Sequence, residues 1–180
     1  MNVIETCIPE IKIICPALHE DERGHFCESY NQREFESAIG HGVNFVQDNH
    51  SLSHQGVLRG LHYQASPMEQ GKLIRVTHGE IFDVAVDIRK NSPTFGKSVS
   101  LILSSANRYQ LWIPPGFAHG FYTITDYAEC IYKVTNYYSV SHEYTLLWND
   151  PDLNIPWPFK GQPILSIKDR ENAQHILKIH

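Results

Sequence analysis

Short runs of apolar and β-branched residues recur along the chain, each broken by Gly, Pro, Asn, Asp or Ser. They fall at 11–15, 26–30, 43–49, 57–63, 72–77, 81–87, 98–103, 109–113, 117–124 and 128–135. Val, Ile, Phe, Tyr and Thr dominate them, and alternation with a period of two is the mark of strands with one buried face. The spacing predicts an antiparallel all-β sandwich or barrel of the jelly-roll type, with a few short peripheral helices. Thr77-His78-Gly79-Glu80 joins two apolar runs and reads as a hairpin. Two segments carry helix signals. Asn31 precedes QREFESAI with Glu34 three residues on, a variant capping box, and Asp169 reads as the cap of a helix through RENAQHILK. Residues 149–163 hold Pro151, Pro156, Pro158 and Pro163 and predict an extended surface wrap.

Length and charge narrow this picture. The 180 residues, with 42% hydrophobic and 19% charged, predict one jelly-roll domain over 1–180 that buries a core without staples. The net charge of −5 argues against nucleic acid as the main partner. Cys7, Cys15, Cys27 and Cys130 form no C-x-x-C pair, so free thiols are expected. The first residues, MNVIETCIPE, carry acids where a signal peptide needs bases, and no apolar run reaches membrane length. A cytoplasmic enzyme, with no membrane partner, is the expectation.

Candidate chemistry sits in four stretches. In QDNHSLSHQGVLRGLHYQ, residues 47–64, Gln47 and Asn49 alternate onto one face of a strand and Asp48 onto the other. Arg59 and His62 fall on opposite faces of a straight strand; Gly60 between them can supply a bulge that turns both to one cavity. The same polar residues also suit a hydrogen-bonded core. PPGFAHGFYTI places His119 at a strand start, open to metal, ligand or edge roles. In YAECIYKVTNYYS, Cys130, Tyr132 and Val134 share one face, where a tyrosine is commonly core with its hydroxyl bonded. LSIKD puts a Lys–Asp pair directly after the proline-rich wrap, at a place where it can close over a barrel mouth.

A metal-binding jelly roll of the cupin kind needs a His-x-His pair, a Glu and a later His. Here Gly56 and His62, then Pro114-x-Gly116-x-x-His119, give the framing, but Gln64 stands where the second histidine belongs. The expectation is a cupin frame without its metal, which moves His62 from ligand toward acid–base work.

The chain resembles the dTDP-4-dehydrorhamnose 3,5-epimerase family over nearly its whole length. The likeness rests on DERGHFCESYN, FVQDNHS, VLRGLHYQ, QGKLIRV, GEIFDVAVDIRKNSPTFGK, QLWIPPGFAHGF, YKVTNYYS, LLWNDPDLNIPWP and LSIKD, in that order. The resemblance implies a dimeric jelly roll whose N-terminal segment crosses to its partner, and a dTDP-4-keto-6-deoxy sugar as substrate. It implies His62 as catalytic base, Tyr132 as acid, Asp169 as the carboxylate that orients the histidine, and Lys72 near the keto oxygen. It places Arg23, Glu28, Gln47, Asp48, Asn49, Arg59, His119, Glu143 and Lys168 at positions that contact nucleotide or sugar. No metal or other cofactor is expected. The residue types suit the chemistry independently. Deprotonation beside a ketone and reprotonation on the other face need a base near neutral pKa, an opposed acid, and a positive charge or donor at the developing enolate, here Lys72 or His119. Relatives that invert only C3, a 3,4-ketoisomerase, a metal cupin dioxygenase and a non-catalytic sugar-binding module are the alternatives.

Overall fold

The computed structural model describes residues 1–179. Its strands are β1 (Asn2–Glu5), β2 (Lys12–Cys15), β3 (Leu18–Asp21), β4 (Gly24–Cys27), β5 (Gln47–His54), β6 (Leu58–Gln64), β7 (Lys72–His78), β8 (Glu80–Asp87), β9 (Ser98–Ser104), β10 (Gln110–Ile113), β11 (Phe117–Thr123), β12 (Tyr127–Val134) and β13 (Glu143–Thr145). One sheet has the order β1-β2-β10-β7-β12-β5, the second β13-β6-β11-β8-β9, and β3 pairs with β4 in a separate ribbon. Their ladders are antiparallel. This is the expected jelly roll, two sheets face to face.

Alternation along the strands builds the core. Ile74, Val76, Leu111, Ile113, Ala128 and Cys130 from the first sheet meet Ile81, Ala85, Val99, Leu103, Phe117 and Phe121 from the second, all nearly or fully buried. Burying this much apolar surface at roughly 25 cal/mol per Å² is the main stabilising contribution. The outer face of the second sheet is also covered. Val84, Val86, Leu61 and Tyr63 pack beneath Leu153, Ile155 and Trp157 of the proline-rich segment and beneath Ile176 and Ile179. That is why β8 reads as a nearly unbroken apolar run: both of its faces are buried.

Helix α1 (Gln32–Ile39) begins where expected, with Asn31 Oδ1 accepting from the Glu34 backbone N–H at 3.2 Å. Its Phe35 packs edge-on against Trp112 on the outer face of the first sheet.

Three expectations need correction. The turn at 77–80 is not a hairpin: β7 and β8 belong to different sheets, so Gly79 is the corner where the chain crosses between them. Gly79 has φ +75°, and a Cβ there would lie 2.2 Å from the Tyr127 carbonyl oxygen, so no side chain fits. Helix α2 is short, Ile167–Glu171, and Ser166 caps it through a 3.1 Å bond to the Asp169 N–H. Asp169 lies in its first turn, and the chain beyond is held extended because Gln174 exchanges backbone bonds with Thr145 and Leu147. The edge strands β1, β3 and β13 carry little apolar signal and were not expected from the pattern; nor was the polar second half of β5.

Candidate active site

The site opens between the two sheets. A cavity of about 420 Å³ is lined by His62, Lys72, His119, Tyr132 and Asp169, and an adjoining one of about 250 Å³ shares His62, Lys72 and Tyr132. Two different sheets supply the opposed walls. Tyr132 on β12 and Lys72 on β7 belong to the first, His62 on β6 and His119 on β11 to the second. The walls do not close into solid core because the inward positions of β5 are polar: Gln47, Asn49, Ser51 and Ser53.

The bulge at Gly60 forms as the sequence suggests. Arg59 pairs with Phe121 and His62 with His119, so Gly60 and Leu61 oppose the single residue Gly120. Gly60 has φ +127°, and a Cβ on it would sit 2.5 Å from Gly120 Cα. The extra residue restores Arg59 and His62 to the same face, and both line the cavity.

His62 Nε2 and Asp169 Oδ1 are 2.5 Å apart, and Asp169 is 3% exposed. With Nε2–H given to the carboxylate, the imidazole lone pair lies on Nδ1. Burial lowers the His62 pKa below 6.5, and Asp169 works against that shift. For Asp169, burial acts to raise the carboxyl, but its bond to His62 brings it below its ordinary value. The pair is therefore a neutral base backed by a carboxylate at neutral pH.

Across the cavity, burial raises the Tyr132 phenol above 10, so it stays protonated and able to donate. Cys130, on the same face, is pushed up to about 12 by burial and remains a thiol. Lys72 is buried and lowered from 10.5 to about 8, burial outweighing the carboxylates of Asp83 and Glu143. An ammonium with that value is still mostly charged at pH 7. Its Nζ reaches the His62 carbonyl at 3.4 Å.

The remaining expected residues divide. His119 is buried, and its Nε2 meets Asp83 Oδ2 at 2.9 Å, a second histidine–aspartate pair beside the first. Gln47 donates to Asn49 at 2.8 Å, Arg59 bonds Ser53 and the Leu52 carbonyl, and Glu143 is ion-paired with Lys168 and accepts from the Tyr138 hydroxyl at 2.8 Å. Burial acts to raise the Glu143 carboxyl, but Lys168 and Tyr138 hold it below its ordinary value. Asp48 points to the outer face of the first sheet and pairs with Lys133 at 3.0 Å, away from the cavity. Arg23 lies on the β3–β4 ribbon, bonded to Asp21 with its side chain 86% exposed, and Glu28 follows that ribbon; this chain brings neither to the cavity. Gln64, at the cupin metal position, instead staples a loop, donating to the carbonyls of Met68 and Tyr137 and accepting from the Ser139 N–H. Among the described residues no three His, Cys, Asp or Glu side chains converge as a metal site would require.

Sequence reading missed Asp83, Ser51, Ser53 and Tyr138. Asp83 had a signal: it is the one charge inside IFDVAV, fully buried, and a buried carboxylate needs a partner. The serines had none, because a serine in a polar strand is unremarkable until its neighbours are known.

The family described as dTDP-4-dehydrorhamnose 3,5-epimerase matches residues 5–175. The chain belongs to this family. A curated member from Salmonella typhimurium is 59% identical over 169 residues, 94% of this chain and 92% of the relative. The structure of a dTDP-6-deoxy-D-glucose-3,5-epimerase from Legionella pneumophila, in complex with dTDP-4-keto-L-rhamnose, superimposes with TM-score 0.96 at 51% identity, covering 99% of this chain and 94% of the other. A 3′-monoepimerase from Streptomyces bikiniensis in complex with dTDP-quinovose gives 0.90 at 32% identity, covering 96% and 87%. Membership in the 3,5-epimerase family makes the chain an isomerase of dTDP-sugar metabolism. Among the described residues no helix is long and apolar enough to cross a membrane.

Proposed function

We propose that this chain inverts C3 and C5 of dTDP-4-dehydro-6-deoxy-D-glucose, giving dTDP-4-dehydro-L-rhamnose, with His62 as base and Tyr132 as acid on opposed walls of one cavity. The observation that carries the assignment is that His62, paired with Asp169 of α2, stands on one sheet while a protonated, buried phenol stands on the other. Both carbons lie beside the C4 ketone, so each C–H bond is acidified by the same carbonyl. His62 Nδ1 takes the proton, and the C–H electron pair becomes an enolate whose charge collects on the C4 oxygen. Lys72, whose ammonium lines the cavity, is assigned to neutralise that charge. The Tyr132 O–H then gives its proton to the opposite face, which forms the new C–H bond and inverts the centre. Solvent protonates the phenolate and deprotonates the imidazolium, which resets the pair. Asp169 holds the imidazole tautomer and stabilises its charged form. No step uses a metal or redox cofactor.

Gln47, Asn49, Arg59, Glu143 and Lys168 are assigned to substrate contact in the same cavity. The chain acts as a cytoplasmic enzyme without a nucleic-acid or membrane partner. Proton NMR of the protein with dTDP-4-keto-6-deoxyglucose in D₂O tests the assignment. Deuterium is expected at both C3 and C5 with conversion to the L-rhamno product. Exchange confined to C3 would identify a monoepimerase, as the Streptomyces bikiniensis protein is described. The acid limb of kcat/KM should lie below pH 6.5, because burial lowers the pKa of the free base.

A homodimer is part of the proposal. Phe26 is 69% exposed on the β3–β4 ribbon beside Arg23, an apolar and a cationic group with no place in this chain's own cavity. The ribbon is assigned to the partner's site, where Arg23, Glu28 and Phe26 reach the nucleotide. Light scattering at micromolar concentration should read about twice the 20.7 kDa chain mass. A fully active monomer would refute it.

A further inference from the structure

The wall formed by β5 has a feature that proton transfer leaves unused. Ser53 is 2% exposed, inward-facing, and its hydroxyl accepts from Arg59 Nε at 2.8 Å; Arg59 Nη2 donates to the Leu52 carbonyl at 3.2 Å. Arg59 comes from the opposite sheet, delivered by the Gly60 bulge, so the contact spans the cavity mouth. Both partners are neutral, so neither offsets the positive charge of the guanidinium. Among the described residues two of its five N–H groups are engaged, which leaves the rest of the planar fork to an anion. Beside it, Ser51 lines the same cavity with a buried Oγ that bonds no group among the described residues. A buried hydroxyl ordinarily has a partner, so this wall is shaped for polar ligand atoms rather than for core.

We propose that Ser53 is a positioning residue for the diphosphate of the sugar nucleotide: it holds the Arg59 guanidinium at Nε so that its outer edge faces the phosphoryl oxygens. Arginine is a long, rotamer-rich side chain, and one already fixed in its binding orientation loses less freedom when the anion arrives. The inference rests on the dTDP-sugar reading above. Because Ser53 touches neither reacting carbon nor the proton carriers, its effect belongs in affinity and not in turnover.

Inhibition by dTDP, inhibition by thymidine, and steady-state kinetics with the keto sugar nucleotide test it. Ser53→Ala should raise KM and the dTDP inhibition constant by about ten-fold, the scale of a hydrogen bond to a charged group. Turnover should stay within about two-fold and the thymidine constant should not move, since thymidine carries no phosphate. In an Arg59→Ala background the same change should cost nothing more, because Ser53 then has nothing to hold. Ser53→Cys, similar in size and a poor acceptor, should repeat the alanine result if the alanine variant folds badly. Unchanged dTDP affinity, equal weakening of thymidine, or an undiminished loss in the Arg59→Ala background would each overturn the assignment. A wild-type protein that does not bind dTDP would instead overturn the underlying reading, and this inference with it.

Discussion

Replacing His62 by alanine is expected to abolish inversion and solvent exchange together, at C3 and at C5. The substitution removes the ring that Asp169 orients and leaves a buried carboxylate without its partner. General-base catalysis contributes on the order of 10²–10⁴-fold, so exchange should fall by at least that scale. His119, paired with His62 across the strand ladder and likewise bonded through Nε2 to a carboxylate, that of Asp83, is the nearest substitute. The assay is deuterium uptake in D₂O, read separately for each carbon. Exchange near the wild-type rate would name another base, His119 first. The orphaned Asp169 also predicts a loss of stability on the order of 1–3 kcal/mol. Thermal unfolding should therefore accompany the kinetics, with activity measured well below the melting midpoint.

Tyr132→Phe is expected to separate exchange from inversion. Only a hydroxyl is lost, and the inner-face packing around Ile74 and Cys130 is otherwise kept. His62 can still form the enolate and return deuterium to the face it came from. Inversion needs a donor on the opposite wall, and burial keeps the phenol protonated for that purpose. The variant should take up deuterium while epimerised product falls on the order of 10²–10⁴-fold. Wild-type inversion at C5 would reduce Tyr132 to a wall residue. Loss of exchange as well would mean that the phenol helps to form the enolate, and the division of roles between the two walls would fail.

Local physics decides the apolar strands and the first helix cap. The strands carrying Leu73–Val76, Ile81–Val86, Leu111–Ile113 and Phe117–Tyr122 are buried apolar runs, and burial of such runs admits few alternatives. Asn31 caps α1 because a short side-chain acceptor needs only its own chain. The bulge at Gly60 was legible because only a bulge reconciles Arg59 and His62 with one face. Asp169 was misread as a cap for the opposite reason. Its carboxylate is claimed by a histidine 107 residues away, and Ser166 takes the local role.

What the sequence alone determined was the class of fold and the polar start of β5, with Gln47 and Asn49 on one face and Asp48 on the other, since period-two alternation is written residue by residue. Tertiary structure alone decided the rest. It sent β7 and β8 to different sheets, paired His119 with Asp83, seated Arg59 on Ser53 and gave Asp48 its partner Lys133. Each of these joins groups distant in sequence or on different strands. Their geometry follows from strand order and register, which depend on the packing of the whole core rather than on any local run.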